Sequence, residues 1–259
     1  MKGKISCVLI FVLSLAVFIS AQTADELIAE GDSLCQNMQD MATAKEAMNK
    51  YLQALNQLES KYEALWRMSR ILYYIGSHSQ DKKDQQTLFS QGIYYGKKAV
   101  EAGLERPEGH YWLGVNYGKY GEVKGVLKSL SLVKPIKEEM NKVIELDRGF
   151  EGGGADKVLG RVYFKLPGFA GGNKEKSLEH LLKAKEFDPD DPLTRLYLAD
   201  TYLALNEVDK AKEELEFILS LEDDPKWVSD ILTCKEEARN LLKDKKFKGG
   251  RSPKGHPFP

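Results

Sequence analysis

The chain has 259 residues, of which 42% are hydrophobic and 30% charged, and its formal net charge is −1. The apolar share is slightly low and the charged share slightly high for a globular domain, which favours an elongated array over a compact enzyme core. Basic residues are concentrated at the N-terminus and in the C-terminal tail, so the body between them is acidic. An acidic body excludes a nucleic-acid-binding surface.

Residues 1–21 have the pattern of a secretory signal. Lys2 and Lys4 precede an uncharged, mostly apolar stretch, and the small residues Ser20 and Ala21 follow it. That order predicts export, with cleavage after Ala21. The alternative is an uncleaved anchor helix, for which the stretch is slightly short. Because no cysteine stands at the cleavage point, we expect a periplasmic or otherwise exported protein without a lipid anchor.

Residues 22–246 read almost entirely as helices, because apolar residues recur at three- and four-residue spacing. The pattern of small and bulky residues is that of tetratricopeptide repeats. In such a unit, small residues let two helices approach closely, and an aromatic residue fills the gap to the next unit. The best copy consists of Leu198, Ala199, Tyr202, Ala211, Leu215 and Ile218.

Four weaker copies precede this one. They begin at Ala29 (with Gly31 and Cys35), Trp66, Leu113 and Leu159, and a last helix opens at Pro225. The sequence therefore predicts an all-α, tetratricopeptide-like helical-repeat solenoid of about five helix pairs plus a C-terminal capping helix. Residues 247–259 are basic, rich in Gly and Pro and without periodicity, so we expect a disordered tail. Cys35 and Cys234 fall near opposite ends of this array and are expected to be free thiols.

Candidate binding residues lie where the repeat is interrupted, since extra residues there are not required for packing. The loop containing Leu166, Pro167 and Phe169 is either an apolar lip over a groove or partner, or a loop folded back so that Phe169 plugs a gap between pairs. The three glycines at 152–154 favour a tight turn over an anion site. Residues 121–133 form an amphipathic stretch that is either an added helix against the array or a partner contact.

The helix around Trp112 is rich in aromatic residues. Trp112 and Tyr120 are not repeat positions, and Asn116 and Lys119 lie between them. Aromatic rings with a few polar groups are typical of a ligand or partner pocket. The alternative is that these side chains belong to the core.

Catalysis finds no support in the sequence. The four histidines have no ligand spacing, and the motifs of zinc proteases, serine hydrolases and thiol oxidoreductases are absent from the chain. We therefore expect no enzyme, no metal and no cofactor.

Segments of the fourth copy resemble the T component (TatT) of tripartite ATP-independent periplasmic (TRAP) transporters. They are Gly153 to Tyr163, Leu166-Pro167-Gly168 and Gly171 to Leu178, and the similar region extends roughly from Tyr62 to Leu221. The resemblance implies a periplasmic trimer that binds a hydrophobic small ligand in a cleft and associates with a TRAP solute-binding protein. Members of that group are often lipoproteins, and this chain departs from them by lacking the lipidation cysteine.

Two functions remain open from the sequence. The first is a non-catalytic periplasmic binding or adaptor protein of a TRAP-type transport system, with a hydrophobic ligand. The alternative is an exported tetratricopeptide scaffold for protein–protein interaction, which would bind a partner in its concave groove.

Overall fold

The computed structural model describes residues 22–36, 40–57, 61–222, 228–243 and 247. The predicted signal at 1–21 and all of the predicted tail except Phe247 lie outside the described residues. Within the described part, the chain forms eleven α-helices and no strand. They are α1 (Ala24–Gln36), α2 (Met41–Leu55), α3 (Lys61–His78), α4 (Lys82–Ala102), α5 (Pro107–Lys124), α6 (Val133–Asp147), α7 (Phe150–Lys165), α8 (Lys174–Phe187), α9 (Pro192–Ala204), α10 (Val208–Ser220) and α11 (Val228–Leu241).

The helices pack as five consecutive pairs, from α1 with α2 to α9 with α10, and α11 covers the last pair. The first helices of neighbouring pairs also touch, α3 with α5, α5 with α7 and α7 with α9. Stacked pairs of this kind form a curved solenoid. We call the surface formed by α3, α5, α7 and α9 the inner face. The predicted count of five pairs plus a cap is confirmed.

Helix starts are encoded locally by capping side chains. The Asp40 carboxylate accepts a hydrogen bond from the Thr43 N–H, and Asn173 Oδ1 accepts one from the Lys176 N–H. Such caps satisfy backbone donors that the first helical turn leaves unpaired. Pro107 occupies the first position of α5, where its fixed φ angle suits a helix start.

The small repeat positions are points of close helix approach. A Cβ atom on Gly160 would lie 2.6 Å from Leu181 Cγ, and one on Gly31 would lie 2.5 Å from Tyr51 Cε1. All six positions of the fifth copy are buried, as expected. The first copy departs from its predicted register, because Ala29 is exposed and Leu27 and Ile28 fill the core instead.

The glycine-rich segment at the start of α7 is a left-handed turn. Glu151, Gly152 and Gly153 have φ angles of 51°, 63° and 74°. A Cβ atom on Gly153 would lie 3.0 Å from the Ala184 Cα atom, and one on Gly152 would lie 2.9 Å from Asp188 Cβ. The segment therefore serves close packing of α7 on α8, and the adjacent Asp188 carboxyl group makes it unsuitable for an anion.

Residues 121–133 do not form the added helix that was one of the two interpretations. Helix α5 continues to Lys124, and residues Val126–Leu132 form a 3-10 segment that leads directly into α6. Leu127 in this segment is 69% exposed. The physical reason is Gly125, whose φ of 88° ends α5 and redirects the chain.

At the C-terminal end, Ile231, Cys234 and Ala238 of α11 are buried. Phe247, at the first position of the predicted tail, is half-buried against the cluster formed with α9 and α10. Cys35 and Cys234 are not joined by a disulfide.

His110 ties the α4–α5 turn to α6 and gives the fold a pH dependence. Its Nδ1 lies 2.6 Å from Glu139 Oε2, and its Nε2 lies 3.0 Å from the Leu104 carbonyl oxygen. Both ring nitrogens therefore face acceptors, and only the doubly protonated ring satisfies both. Burial opposes that charge, but the Glu139 carboxylate and the Leu104 carbonyl outweigh it and raise the pKa of His110.

A raised folded-state pKa means that the contribution of His110 is complete below its unfolded value of about 6.5 and is lost as pH rises through the folded value. We expect wild type to exceed His110→Gln in stability by about 1 kcal/mol more at pH 5.5 than at pH 9. Urea unfolding followed by circular dichroism at both values checks this. A constant difference would show that folding does not raise the pKa of His110.

Candidate functional site

Polar and aromatic side chains from four helices converge on the inner face. Electrostatic interactions connect Tyr73 of α3 and Lys119 of α5 with Tyr197 of α9, and connect Tyr111 of α5 with Lys157 of α7. We call the whole group the inner cluster. It consists of Tyr73, Tyr111, Trp112, Lys119, Glu122, Lys157, Arg161, Asp191, Tyr197 and Asp200.

A buried ion pair lies at one side of the inner cluster. Lys157 Nζ is 2.7 Å from Asp191 Oδ2, and the two side chains are 15% and 2% exposed. Asp191 is also the N-cap of α9 and accepts a hydrogen bond from the Thr194 hydroxyl. Burial alone would raise the pKa of Asp191, but the Lys157 charge and these hydrogen bonds lower it. The pair fixes α7 against the start of α9.

Arg161 lies at the centre of the inner cluster. Its Nη1 donates to Asp200 Oδ2 at 2.8 Å, and its guanidinium lies over the Tyr197 ring at 4.2 Å from the ring centroid. The Phe164 ring lies on it at 5.1 Å. The Nε atom of Arg161 is buried and has no hydrogen-bond partner among the described residues. The planar group is thus held in place with one donor unused.

Trp112 supplies a second unused donor. Its side chain packs against Tyr73 at a centroid distance of 5.6 Å and against Tyr111 at 5.0 Å. The residue is 8% exposed, and its indole Nε1 is buried without a hydrogen-bond partner in the described part of the chain. A buried donor left unpaired costs about 1–3 kcal/mol. Such a group in a folded protein calls for an explanation.

Lys119 is the water-accessible cation of the inner cluster. Its side chain is 36% exposed, and its Nζ lies 3.3 Å from Glu122 Oε2. Burial of the rest of the side chain disfavours the charge, but Glu122 outweighs it and raises the pKa of Lys119. The ammonium group is therefore charged at neutral pH and within reach of a ligand.

A further cation lies beyond Arg161, where the loop after α7 meets α8. Lys174 Nζ donates to the Phe164 carbonyl oxygen and lies 3.8 Å from the centroid of the Phe164 ring. Burial lowers the pKa of Lys174, and the like charges of Arg161 and Lys165 lower it further, whereas Asp200 raises it. This end of the inner face therefore has a surplus of positive charge.

Among the residues that the sequence indicated, Asn116 does not face the groove. It is fully buried, and its Nδ2 donates to the carbonyl oxygens of Ser69 at 3.0 Å and Trp112 at 2.8 Å. It thereby joins α3 to α5 in the core. Tyr120 is half-buried beside Lys124, whose Nζ lies 4.6 Å from the ring centroid. Trp112 and Lys119 both lie in the inner cluster. Asn116 instead fits the alternative interpretation, that these side chains belong to the core.

The loop after α7 divides into a buried and an exposed part. Leu166 is buried and Pro167 half-buried, whereas Phe169 is 82% exposed. Phe169 therefore plugs no gap between pairs. It borders a surface groove of about 530 Å³ lined also by Leu130 and Val133. The groove is open to solvent and has Lys134, Lys137 and Glu138 in its walls, so it is not the enclosed apolar pocket that a hydrophobic small ligand usually occupies.

Sequence reasoning missed Lys157, Arg161 and Tyr197. A signal was available for two of them. Lys157 and Arg161 are four residues apart, so they share one face of α7, and neither is a repeat position. Their partners Asp191 and Asp200 lie 34 and 39 residues further along the chain, and no local pattern connects them.

The described residues contain no group of three or more His, Cys, Asp and Glu side chains placed to hold a metal ion. None of their helices is long and apolar enough to cross a membrane.

Comparison with solved structures shows the fold. A thermophilic TPR protein from Thermus thermophilus superposes with a TM-score of 0.63 at 17% sequence identity, over 85% of this chain and 99% of that one. The predicted tetratricopeptide-like solenoid is confirmed. At this identity the likeness concerns the architecture and carries nothing about function.

Sequence comparison gives a different family from the one expected. The family model described as regulator of microtubule dynamics protein 1-3 matches residues 27–150, from α1 to the end of α6. Regulator of microtubule dynamics protein 3 of Bos taurus is 24% identical over 199 residues, which are 71% of this chain and 42% of that protein. The Rattus norvegicus protein of that name is 22% identical over 178 residues, 62% of this chain and 37% of its own length.

These matches overturn two predictions. The resemblance to the TRAP transporter T component is wrong. The solute-binding partner and the trimer were implied only by that resemblance, so they lose their support. The residues that suggested it, Gly153 to Leu178, include the tight α7–α8 contacts that any closely packed helical repeat needs. The periplasmic or exported location is also wrong, because the matches are to regulators of microtubule dynamics and not to periplasmic transport proteins. This chain is similar to those proteins, and it spans less than half of their length.

Proposed function

We propose that this protein is a non-catalytic helical-repeat scaffold that binds a segment of a partner protein along its inner face. The observation that carries the proposal is that two of the three buried polar atoms without a partner among the described residues, Trp112 Nε1 and Arg161 Nε, belong to the inner cluster, whereas the third, Asn116 Oδ1, lies in the core against Gly92. A surface that served packing alone would satisfy its buried polar groups within the fold. The side chains that carry these donors contact Tyr73 and Tyr197, the two rings that also interact with the accessible Lys119, and aromatic and cationic groups of this kind are typical of recognition surfaces.

We further propose that the partner belongs to the microtubule system. The named relatives regulate microtubule dynamics, and the family match includes α5, which supplies Trp112 and Lys119 to the inner cluster. A scaffold regulates a filament by binding its subunits or by holding another protein on it.

Co-sedimentation with microtubules assembled from purified tubulin tests both statements. We expect the protein to pellet in a saturable way and Lys119→Glu to weaken binding about fivefold, since one charge is reversed at the edge of the contact. The matched control is Lys183→Glu on α8, an exposed lysine outside the inner face, which should bind like wild type. If the protein neither pellets in a saturable way nor binds free tubulin, the microtubule partner is refuted. If Lys119→Glu and Lys183→Glu lose microtubule binding equally, the inner face is refuted as the binding surface.

A further inference from the structure

The unused hydrogen-bonding capacity of the inner face is of one kind. Trp112 Nε1 and Arg161 Nε are both donors, and neither finds an acceptor among the described residues. Lys119 adds an accessible ammonium group, which is also only a donor. Because the side chains offer donors, the complementary group must bring acceptors. An anionic acceptor gains most, since hydrogen bonds to a charged group are about twice as strong as neutral ones.

The charge balance points the same way. Around the end of α7, the charges of Arg161 and Lys165 both act against that of Lys174, and Asp200 alone opposes them among the groups that act on Lys174. Asp200 is already engaged by Arg161 Nη1. The like charges that depress the pKa of Lys174 would be relieved by an anion bound between these cations.

The spacing of the groups sets the shape of the ligand. The Tyr197 and Phe164 rings hold the Arg161 guanidinium plane, so its free Nε is aimed in a fixed direction rather than by a mobile side chain. The cations are separated by aromatic rings and by Glu122 and Asp200. A ligand with carboxylates at intervals along an otherwise neutral chain fits that alternation. A phosphate backbone, which is charged at every unit, would meet those two acidic side chains.

From these observations we propose that the inner cluster, together with the neighbouring Lys174 of α8, recognises acidic side chains in a partner polypeptide, with carboxylates received at Arg161, Trp112, Lys119 and Lys174. The proposal rests on the proposed scaffold function and names the chemistry of its partner. The aliphatic parts of the peptide would lie against Tyr73 and Tyr197. Binding would supply the acceptors that the two buried donors lack in the free protein.

Fluorescence anisotropy with two labelled synthetic peptides tests the proposal. One peptide alternates glutamate with glycine, and the other replaces every glutamate with glutamine. We expect the glutamate peptide to bind at least about tenfold more tightly, with affinity falling as salt is raised. Arg161→Gln and Lys174→Gln should each weaken glutamate binding about tenfold and leave glutamine binding unchanged.

Trp112→Phe keeps an aromatic ring but removes the indole N–H together with the five-membered part of the indole, so it should lower the affinity for the glutamate peptide while leaving the helical circular dichroism spectrum unchanged. Lys183→Gln on α8 is the matched control and should bind like wild type. Arg161→Gln leaves Asp200 without its ion-pair partner. Lys174→Gln breaks no ion pair, so it tests the same prediction if Arg161→Gln unfolds. Equal affinity for the two peptides, or unchanged affinity in the Lys174 and Trp112 variants, would overturn the proposal.

Phosphatidylserine vesicles are the second arm. Three results together would favour a lipid headgroup: the vesicles bind, Lys174→Gln weakens that binding, and the glutamate peptide does not compete with it. In that case the bound anion is a lipid headgroup and the peptide proposal is wrong. Neither arm contains tubulin. A protein that binds the glutamate peptide but not microtubules refutes the microtubule partner alone, whereas one that pellets with microtubules but ignores both peptides refutes the acidic-segment inference alone.

Discussion

Lys157→Met is expected to destabilise the protein by about 3–5 kcal/mol at neutral pH, which is the usual cost of removing one partner of a buried ion pair. Asp191 is 2% exposed and would keep its charge with only the Thr194 hydroxyl and a backbone N–H to stabilise it. Methionine fills much the same volume, so the loss reports the uncompensated charge rather than a cavity. Urea unfolding followed by helical circular dichroism measures it.

The pH dependence separates this explanation from a packing defect. In wild type the pKa of Asp191 is lowered, so its contribution is present above the usual carboxyl pKa of about 3.9 and is lost as pH falls through the folded value. In Lys157→Met the largest opposing charge is gone and only the Thr194 and Leu193 hydrogen bonds act against burial, so we expect that pKa to rise. The deficit of the variant should therefore shrink between pH 7 and pH 4.5, because a protonated Asp191 needs no ammonium partner. An equal deficit at both values would contradict the charge argument.

A double variant supplies the control. Asn caps a helix about as well as Asp, so Lys157→Met with Asp191→Asn keeps the start of α9 while removing both charges. We expect it to recover most of the lost stability at pH 7. Lys183→Met, at a surface pair whose side chains are 43% and 62% exposed, should change stability by less than about 1 kcal/mol.

Asn116→Ala should cost about 2–3 kcal/mol, because it removes a fully buried amide together with its hydrogen bonds to the Ser69 and Trp112 carbonyl oxygens. The helices around this amide are tightly packed, since a Cβ atom on Gly92 would lie 2.2 Å from Asn116 Oδ1. The backbone therefore cannot freely close the space that the missing amide leaves. Thermal and urea unfolding of the purified variant give the free energy of unfolding.

A binding residue on the surface would behave in the opposite way. Asn141→Ala on α6 replaces an exposed asparagine and should change stability by less than about 0.5 kcal/mol. If Asn116→Ala matched it and lost only peptide affinity, the core position of Asn116 would be refuted. If Asn116→Ala is destabilised while the folded fraction keeps its peptide affinity, Asn116 acts in the fold alone.

The sequence by itself determined the helical architecture, because each of its signals is local. Apolar spacing of three and four residues defines helices, and capping residues such as Asp40 and Asn173 begin them. Small residues such as Gly160 mark where paired helices touch. The solenoid adds pair upon pair, so interactions within and between neighbours are enough to specify it.

The tertiary structure alone decided which side chains face the groove. Helix α5 contacts α3, α4, α6 and α7, and every residue from Gly109 to Tyr117 is buried, so no polar stripe marks its orientation. Periodicity therefore could not separate Asn116, which is in the core, from Lys119, which is accessible. The pairing of Lys157 with Asp191 joins residues of different helices, and only the stacking of α7 on α9 brings them within 2.7 Å. The unused donors of Trp112 and Arg161 became visible for the same reason, since a hydrogen bond can be missing only where packing has excluded water.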